Sequence, residues 1–416
     1  MVSEKNHSTE LAALEFVDRV VMAMDHGKMP LSIFLDLSKA FDSLDHKILL
    51  AKLDHYGVKT TALELCKSYL KSRTQSVKLD DIISDPLNIS TGVPQGSILG
   101  PFFFLIYVND FQYCSNKFSM INYADDTTLL STLNSFTSQT DRASVNQSIN
   151  IELAKVYEWL CSNKLCLNVN KTEYMVFHQP QKDVNYPILY INNIQIDVVE
   201  NFNFLGITVN EHLSWTSHVA KVIKKISKTG YVLSKLKNFL PEGILLTIYN
   251  SLITPHLNYG ILLWGSKSDR IFKLQKKLVR HITHSRYNAH TDPLFKKLGL
   301  LKVNDIKKLQ ELKFFFKFSQ NLLPAYFRTN FIIRNYDLHE HATRNRTQLV
   351  IPIHQHQYCK ANLRFAITQT VNSFPNDILS KCHTHSLQAF ASHAKKYFLS
   401  NYPENCSILN CYICQQ

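Results

Sequence analysis

The chain has only 11 glycines among 416 residues, and no low-complexity tract or internal repeat. With 45% hydrophobic residues, that excludes a broadly disordered chain and leaves enough apolar material for a real core. The length predicts two or three domains. The opening "MVSEKNHSTE" has no apolar h-region and does not read as a signal peptide. The longest apolar run, "ILGPFFFLIYV" at 98–108, is too short to span a bilayer, so no membrane partner is expected. The nine cysteines, an odd count, argue against a disulfide framework and for mostly buried thiols in a reducing, intracellular setting. Nucleus and cytoplasm are not distinguished, because "KKISK" is too weak a nuclear signal. Cys406, Cys411 and Cys414 resemble half a zinc site, with Cys382, His383 and His385 upstream. A fourth ligand at the right spacing is lacking, so free thiols are expected rather than zinc.

Acidic residues are scarce in one region. Residues 216–302 hold 16 lysines and arginines against Glu242, Asp269 and Asp292, which alone accounts for the net charge of +13. The rest is neutral, with 30 basic and 30 acidic residues. A merely solvated helical face mixes both signs; this one does not, which favours a polyanionic partner.

Along the chain, Leu31 to Asp36 reads as a strand, followed by a turn and a helix that stops near Gly57. A second helix is expected over Ala62 to Lys71, and two short strands around "LDD" within 75–91. "GVPQGSILGPFFFLIYVNDF" reads as a loop and a helix, and "MINYADDTTLLS" as a tight hairpin. Ser144 to Leu160 is helical, with Ile149, Leu153, Val156 and Leu160 on one face. "KTEYMVF" is a strand, "PILYINNIQID" turns at Asn192-Asn193, and "NFNFLGITV" is a strand pair. From Trp215 basic helices begin, with a core stripe of Val219, Val222, Ile223, Ile226 and Leu233. The expected domains are therefore 1–214, 215–302 and 303–416, the last without a readable role.

Asp125 and Asp126 stand side by side in the hairpin, and Asp36 ends a strand of similar apolar character 89 residues earlier than Asp125. If both strands share a sheet, three carboxylates meet at one end of it. Oxygen donors of this kind suit Mg²⁺. Two ions about 3.5–4 Å apart activate an attacking hydroxyl and stabilise a leaving pyrophosphate. Taken alone, the pair is equally well read as an acidic surface turn. Successive strand residues face opposite ways, so Asp125 is the firmer ligand unless the turn is tight.

"FLDLSKAFDSLDH", "GVPQGSILGPFFFLIYVND" and "YADDTTLL", in this order and spacing, resemble the reverse-transcriptase palm of non-LTR (LINE-like, jockey-type) retrotransposons. "WLCSNKLCLNVNKTEYMVF" and "FNFLGITVNEHLSWTSHV" resemble the two blocks that follow, so the likeness is strong over residues 5–220. "YNSLITPHLNYGILLWG" and "LQKKLVRHIT" resemble the thumb and the region after it. The resemblance implies an α+β right-hand polymerase: an antiparallel palm sheet with packed helices and partial fingers, an α-helical thumb, and a helical C-terminal region. It implies RNA-directed DNA polymerase activity with RNA template, DNA primer, RNA–DNA hybrid and dNTPs as partners. Two Mg²⁺ ions, with Mn²⁺ as a substitute, would be held by Asp36, Asp125, Asp126 and the Leu37 carbonyl.

By the same likeness, Lys39 and Ala40 offer backbone N–H groups to the triphosphate. Phe41 is the ring that excludes a ribose 2′-OH; otherwise it is a core residue at a strand–helix junction. Gln95 and Gly96 lie under the template–nucleotide pair; otherwise "PQG" is a plain turn. Lys171 stands near the leaving pyrophosphate; otherwise it is a solvent-facing lysine. Phe204, Leu205 and Gly206 form the primer grip; otherwise they are ordinary strand residues. Lys221, Lys224, Lys225 and Lys228 contact the nucleic-acid backbone. Glu4 stands where the family has a basic residue, and the fingers strands and endonuclease are not visible. An N-terminally truncated, catalytically silent remnant that still folds and binds nucleic acid is therefore the competing expectation.

Overall fold

Met29–Leu35 has seven consecutive buried residues, the signature of a strand covered on both faces. The computed structural model describes residues 7–133, 139–182, 184–328, 331–335, 348–353 and 362–404. Glu4, the polar stretch 336–347, and Cys406, Cys411 and Cys414 lie outside the described residues. By its internal contacts the chain forms two units: Met1–Thr9 with Gly27–Asn201, and Glu10–His26 with Phe202–Gln416.

In the first unit, β1 (Met29–Leu35) leads into α2 (His46–His55) and α3 (Thr60–Leu70), helix α1 (Thr9–Asp25) having preceded it. Asp45 starts α2 by accepting hydrogen bonds from the N–H groups of Lys47 and Ile48 at 2.9 and 3.1 Å. Gly57, with φ 94°, follows its end as expected. Two exposed ribbons come next: β2 (Thr74–Gln75) with β5 (Leu87–Asn88), and β3 (Lys78–Leu79) with β4 (Ile82–Ile83). The "LDD" turn joins the inner pair; the outer pair is too short for an alternation pattern to reveal. Helix α4 (Leu99–Val108) is followed by the hairpin β6 (Ser119–Tyr123) and β7 (Asp126–Leu133), then α5 (Gln139–Ser162) and β8 (Glu173–Val176). The expected Asn192-Asn193 turn joins β9 (Tyr190–Ile191) to β10 (Ile194–Gln195), both turn residues having positive φ, and β11 (Asp197–Val198) ends the unit.

The main sheet has the order β11-β8-β1-β7-β6. β1 is central and antiparallel to both β7 and β8, while β8 and β11 are parallel. Leu31, Ile33 and Leu35 share a core with Phe103, Phe104 and Tyr107 of α4. The α5 stripe Ile149, Leu153, Val156 and Leu160 joins the same core. Helix α5 begins at Gln139, earlier than the expected Ser144, because its polar first turns give no apolar period.

The second unit joins α1 to the hairpin β12 (Asn201–Phe204) and β13 (Ile207–Asn210), apart from its first residues, and to the helices from α6 (Thr216–Leu236) onward. These include α7 (Glu242–Leu252), α8 (Thr254–Asn258), α9 (Ile261–Trp264), α10 (Asp269–Ile282), α11 (Asp292–Lys297) and α12 (Val303–Ser319). Helix α6 buries Val219, Val222, Ile226 and Leu233 of the expected stripe, with Ile223 half-buried at its edge. Gln275 ties three elements together: it donates to the Tyr249 hydroxyl and the Leu301 carbonyl, each at 2.9 Å, and accepts from Val303 N–H at 3.0 Å.

The contacts divide the chain at residue 202 rather than at 214, and residues 215–302 and 303–404 belong to one unit. The reason lies in packing: α12 buries Leu312, Phe314, Phe315 and Phe316, an apolar surface that needs neighbours on several sides. The cysteines also differ from expectation. Of the five free thiols described, only Cys382 is buried, while Cys161 and Cys166 are exposed. No described helix is long and apolar enough to cross a membrane.

Candidate catalytic site

Asp36 directly follows β1, and Asp126 opens β7. Leu35 pairs with Thr127, so the antiparallel register carries Asp36 to the level of Asp126. Tyr123 pairs with Asp126, leaving only Ala124 and Asp125 in the turn between β6 and β7. Ala124 has φ 55°, a left-handed conformation that costs an L-residue about 1–2 kcal/mol. The tight turn brings both adjacent aspartates to the end of the sheet where Asp36 lies. Partial burial, followed by the charges of Asp125 and Asp36, pushes the Asp126 carboxyl above the usual carboxylate range.

The segment after α5 closes one side of this end. Leu37 bridges Leu167; Ser38 N–H donates to Cys166 O and Asn168 N–H to Asp36 O, each at 2.8 Å. The Leu37 carbonyl therefore accepts no hydrogen bond among the described residues. Lys171 is exposed, three residues beyond Asn168, and makes no described ion pair.

Lys39 has φ 47°, and its carbonyl accepts from the N–H groups of Asp42 and Ser43. The N–H groups of Lys39, Ala40 and Phe41 find no acceptor among the described residues. Such a run of free amides beside a left-handed residue forms an anion-binding concavity. Ala40 is buried. Phe41 is half-buried, and its ring lies 4.8 Å from that of the buried Phe104.

The "GVPQG" loop is laced to the same turn. Gly92 N–H donates to Leu44 O at 2.8 Å, and Val93 N–H to Phe41 O at 2.9 Å. Gln95 donates to the Asp42 carboxylate at 3.1 Å. Gly96 has φ 82°, and a Cβ there would meet nothing within 4 Å, so its freedom serves conformation and leaves open space above it. Gly92, which the motif reading passed over, is more constrained. A Cβ there would sit 2.7 Å from the backbone of Asp42. The first glycine of "GVPQG" was the available signal. A cavity of about 730 Å³ opens beside this loop, lined in part by Asp42, His46, Arg73, Gln75, Asn88 and Gln95. Its Arg73 stacks on Tyr69 and was invisible to spacing arguments.

The remaining candidate residues belong to the second unit. Phe204 is buried, with its ring 4.7 Å from that of Phe16 in α1, so it packs rather than presents a surface. Leu205 and Gly206 form the two-residue turn, both with positive φ. The Tyr259 hydroxyl holds that turn by donating to Leu205 O at 2.5 Å. Lys221, Lys224, Lys225 and Lys228 are exposed on α6. At about 100° per residue they lie along one face, opposite the buried stripe.

Residues 3–209 match the model of a family described as reverse transcriptase (RNA-dependent DNA polymerase). Two Drosophila melanogaster proteins are similar to the chain. One is the probable RNA-directed DNA polymerase from transposon X-element, 26% identical over 72% of this chain and 33% of its own length. The other is the RNA-directed DNA polymerase from mobile element jockey, 26% identical over 74% of this chain and 34% of its own. Among solved structures, telomerase from Candida Tropicalis in complex with a TWJ fragment of telomeric RNA aligns with a TM-score of 0.34 and 12% identity, over 77% of this chain and 52% of that one. Residues 3–209 belong to the reverse-transcriptase family, with a polymerase fold of mixed α and β content. Within that family the chain is similar to the LINE-like reverse transcriptases of the non-LTR retrotransposon lineage. It spans about a third of the length of the curated relatives it matches.

Proposed function

We propose that this chain extends a DNA primer 3′-OH with dNTPs on an RNA template. The observation that carries the reading is the meeting of Asp36, Asp125 and Asp126 at one end of the five-stranded sheet, next to a Leu37 carbonyl with no hydrogen-bond partner among the described residues. Such a set consists of hard oxygen donors with crowded negative charge, which suits Mg²⁺ or Mn²⁺. Bound there, the ions would lower the pKa of the primer hydroxyl and neutralise charge on the leaving pyrophosphate.

The protein's own groups have distinct tasks in this scheme. The free N–H groups of Lys39 and Ala40 receive triphosphate oxygens. The Phe41 ring, braced by Phe104, stands where a ribose 2′-OH would collide. Gln95, oriented by Asp42, and the open backbone of Gly96 border the nascent base pair. Lys171 supplies a mobile cation or a proton for the leaving group. The sheet with α4 and α5 serves as palm, and the basic helices from α6 onward as thumb. Lys221, Lys224, Lys225 and Lys228 would meet the phosphates of an RNA–DNA hybrid, contacts that weaken steeply with salt.

Primer extension on primed poly(rA) with dTTP and Mg²⁺ tests the reading. Incorporation is expected, with a loss of at least about 100-fold in Asp125→Asn. If the variant extends the primer as the parent does, the carboxylates are not the catalytic site. A chain that binds hybrid but never extends it is instead a silent nucleic-acid binder.

A further inference from the structure

Between α3 and the "GVPQG" loop the first unit extends an exposed hairpin over residues 73–89. Leu79 pairs with Ile82 across the Asp80-Asp81 turn, and Lys78 with Ile83. Ser84 N–H donates to Val77 O at 2.9 Å, and Ile89 N–H to Arg73 O at 2.8 Å, so the pairing runs from tip to base. Gln75 pairs with Leu87, which leaves Asp85 and Pro86 as a bulge opposite Ser76. Partners across a hairpin share a face, and every second residue of a strand returns to it. Val77, Leu79, Ile82 and Leu87 therefore lie on one face. They are 63%, 73%, 75% and 74% exposed, far too open to belong to the core of this chain. Pro86 and the bulge interrupt one backbone edge, which opposes extension by an added strand. The apolar face is what remains to be covered.

Charge is graded along the same hairpin. Asp80 and Asp81 form the tip, and Lys71 and Arg73 stand at the base. None of the four makes an ion pair among the described residues. Arg73 lies over the Tyr69 ring, 5.0 Å from its centroid. From Arg73 to Asp80 the strand runs about 23 Å, at about 3.3 Å per residue. Two such hairpins, laid face to face about a two-fold axis near Val77, run antiparallel. The acidic tip of each then lies over Lys71 and Arg73 of the other, with Leu79 and Ile82 over Leu87. The face is complementary to itself in both apolar pattern and charge, as an isologous contact requires. A nucleic-acid strand would instead meet two carboxylates at the tip.

We infer that the 73–89 hairpin is a self-association surface, joining two copies of this chain through Val77, Leu79, Ile82 and Leu87, with each acidic tip on the basic base of the other copy. At roughly 100 Å² for each apolar side chain, the four cover roughly 400 Å² per copy. That is about half of the ~800 Å² per partner of a standard interface, which sets a weak, micromolar dimer. The surface belongs to the first unit, and the inference does not rest on the polymerase reading.

Sedimentation velocity of the full chain, nuclease-treated and in EDTA, tests it over about 1–100 μM. The parent should pass from monomer to dimer in this range and stop at two copies. Leu79→Ser/Ile82→Ser should weaken the dimer at least about tenfold with the melting temperature unchanged, since both side chains are exposed. Asp80→Asn/Asp81→Lys and Lys71→Glu/Arg73→Glu should each remain monomeric. Asn is chosen at position 80 because it tolerates the left-handed φ of 51° there. Mixed together, the two charge variants should dimerise again, because each tip then faces a base of opposite sign. A parent that is monomeric at about 100 μM overturns the inference. So does a dimer indifferent to Leu79→Ser/Ile82→Ser, which would use another surface. Should the serine variant melt early, the mixed charge variants decide the case, and their failure to pair overturns the antiparallel contact. Growth beyond two copies, or association that vanishes on nuclease treatment, also overturns it, in favour of edge-to-edge assembly or bridging by nucleic acid.

Discussion

Asp126 bears the electrostatic tension of the catalytic end, since burial and two neighbouring carboxylates oppose its ionisation. A raised folded-state pKa means that the folded protein holds this proton more tightly than the unfolded chain does. The group's contribution to stability is thus favourable at low pH and falls as pH rises through its folded pKa. Asp126→Asn should therefore leave the metal-free protein at least as stable at neutral pH. The same change should abolish the rise in melting temperature that Mg²⁺ or Mn²⁺ produces in the parent. In the parent, that metal-dependent rise should begin to fade, on acidification, above the pH expected for an ordinary aspartate. Differential scanning fluorimetry with and without metal checks all three; a parent melting point indifferent to metal would remove the proposed ion site. At Phe41 the expected effect is on selectivity. Phe41→Ala should narrow the discrimination of dNTP over rNTP, measured as kcat/KM, by about 10–200-fold. Its cost in lost stacking on Phe104 should be only about 0.5–1.5 kcal/mol. Unchanged discrimination would make Phe41 a packing residue alone.

The elements that build the site are held by short-range devices of different legibility. The β6–β7 hairpin was readable because two apolar runs flank a polar dipeptide, and its two-residue turn is what lets adjacent aspartates share one end of the sheet. The "GVPQG" loop was readable as a turn, but its attachment to residues 41–45 was not, because backbone pairing over some 50 positions leaves no local period. Gly92 sits at that crossing. Gly92→Ala should force the loop away from Asp42, with a strain of about 1–3 kcal/mol and a raised KM for dNTP as Gln95 loses its partner. Urea denaturation together with steady-state kinetics checks this, and a variant of parental stability would show that the loop yields freely. Phe204 marks the opposite case: "NFNFLGITV" was readable as a strand pair, but the packing of the Phe204 ring against Phe16, far away in sequence, was not.

On the scale of the whole molecule, residues beyond 303 acquire a role that sequence reading left blank. Asp18 of α1 is 1% exposed at its side chain and pairs with Arg364 at 2.8 Å, while the Tyr326 hydroxyl donates to it at 2.6 Å. The N-terminal helix is thereby integral to the second unit. Arg364→Ala leaves a buried, uncompensated carboxylate and should destabilise that unit by about 3–5 kcal/mol. Adding Asp18→Ala should restore part of the loss, as a double-mutant cycle in urea would reveal; strictly additive losses would mean the pair is not coupled. The sequence by itself determined the family, the acidic residues, the glycines that turns require, and the location of the excess positive charge. These follow from residue type and spacing, which are properties of the chain. Only the tertiary structure decided that Asp36 and Asp126 share a level in one sheet, that the Leu37 carbonyl and the Lys39–Phe41 amides have no partners among the described residues, and that α1 belongs with the C-terminal helices. Each of these depends on contacts between residues far apart in the chain, which burial and backbone hydrogen bonding select and no local pattern encodes.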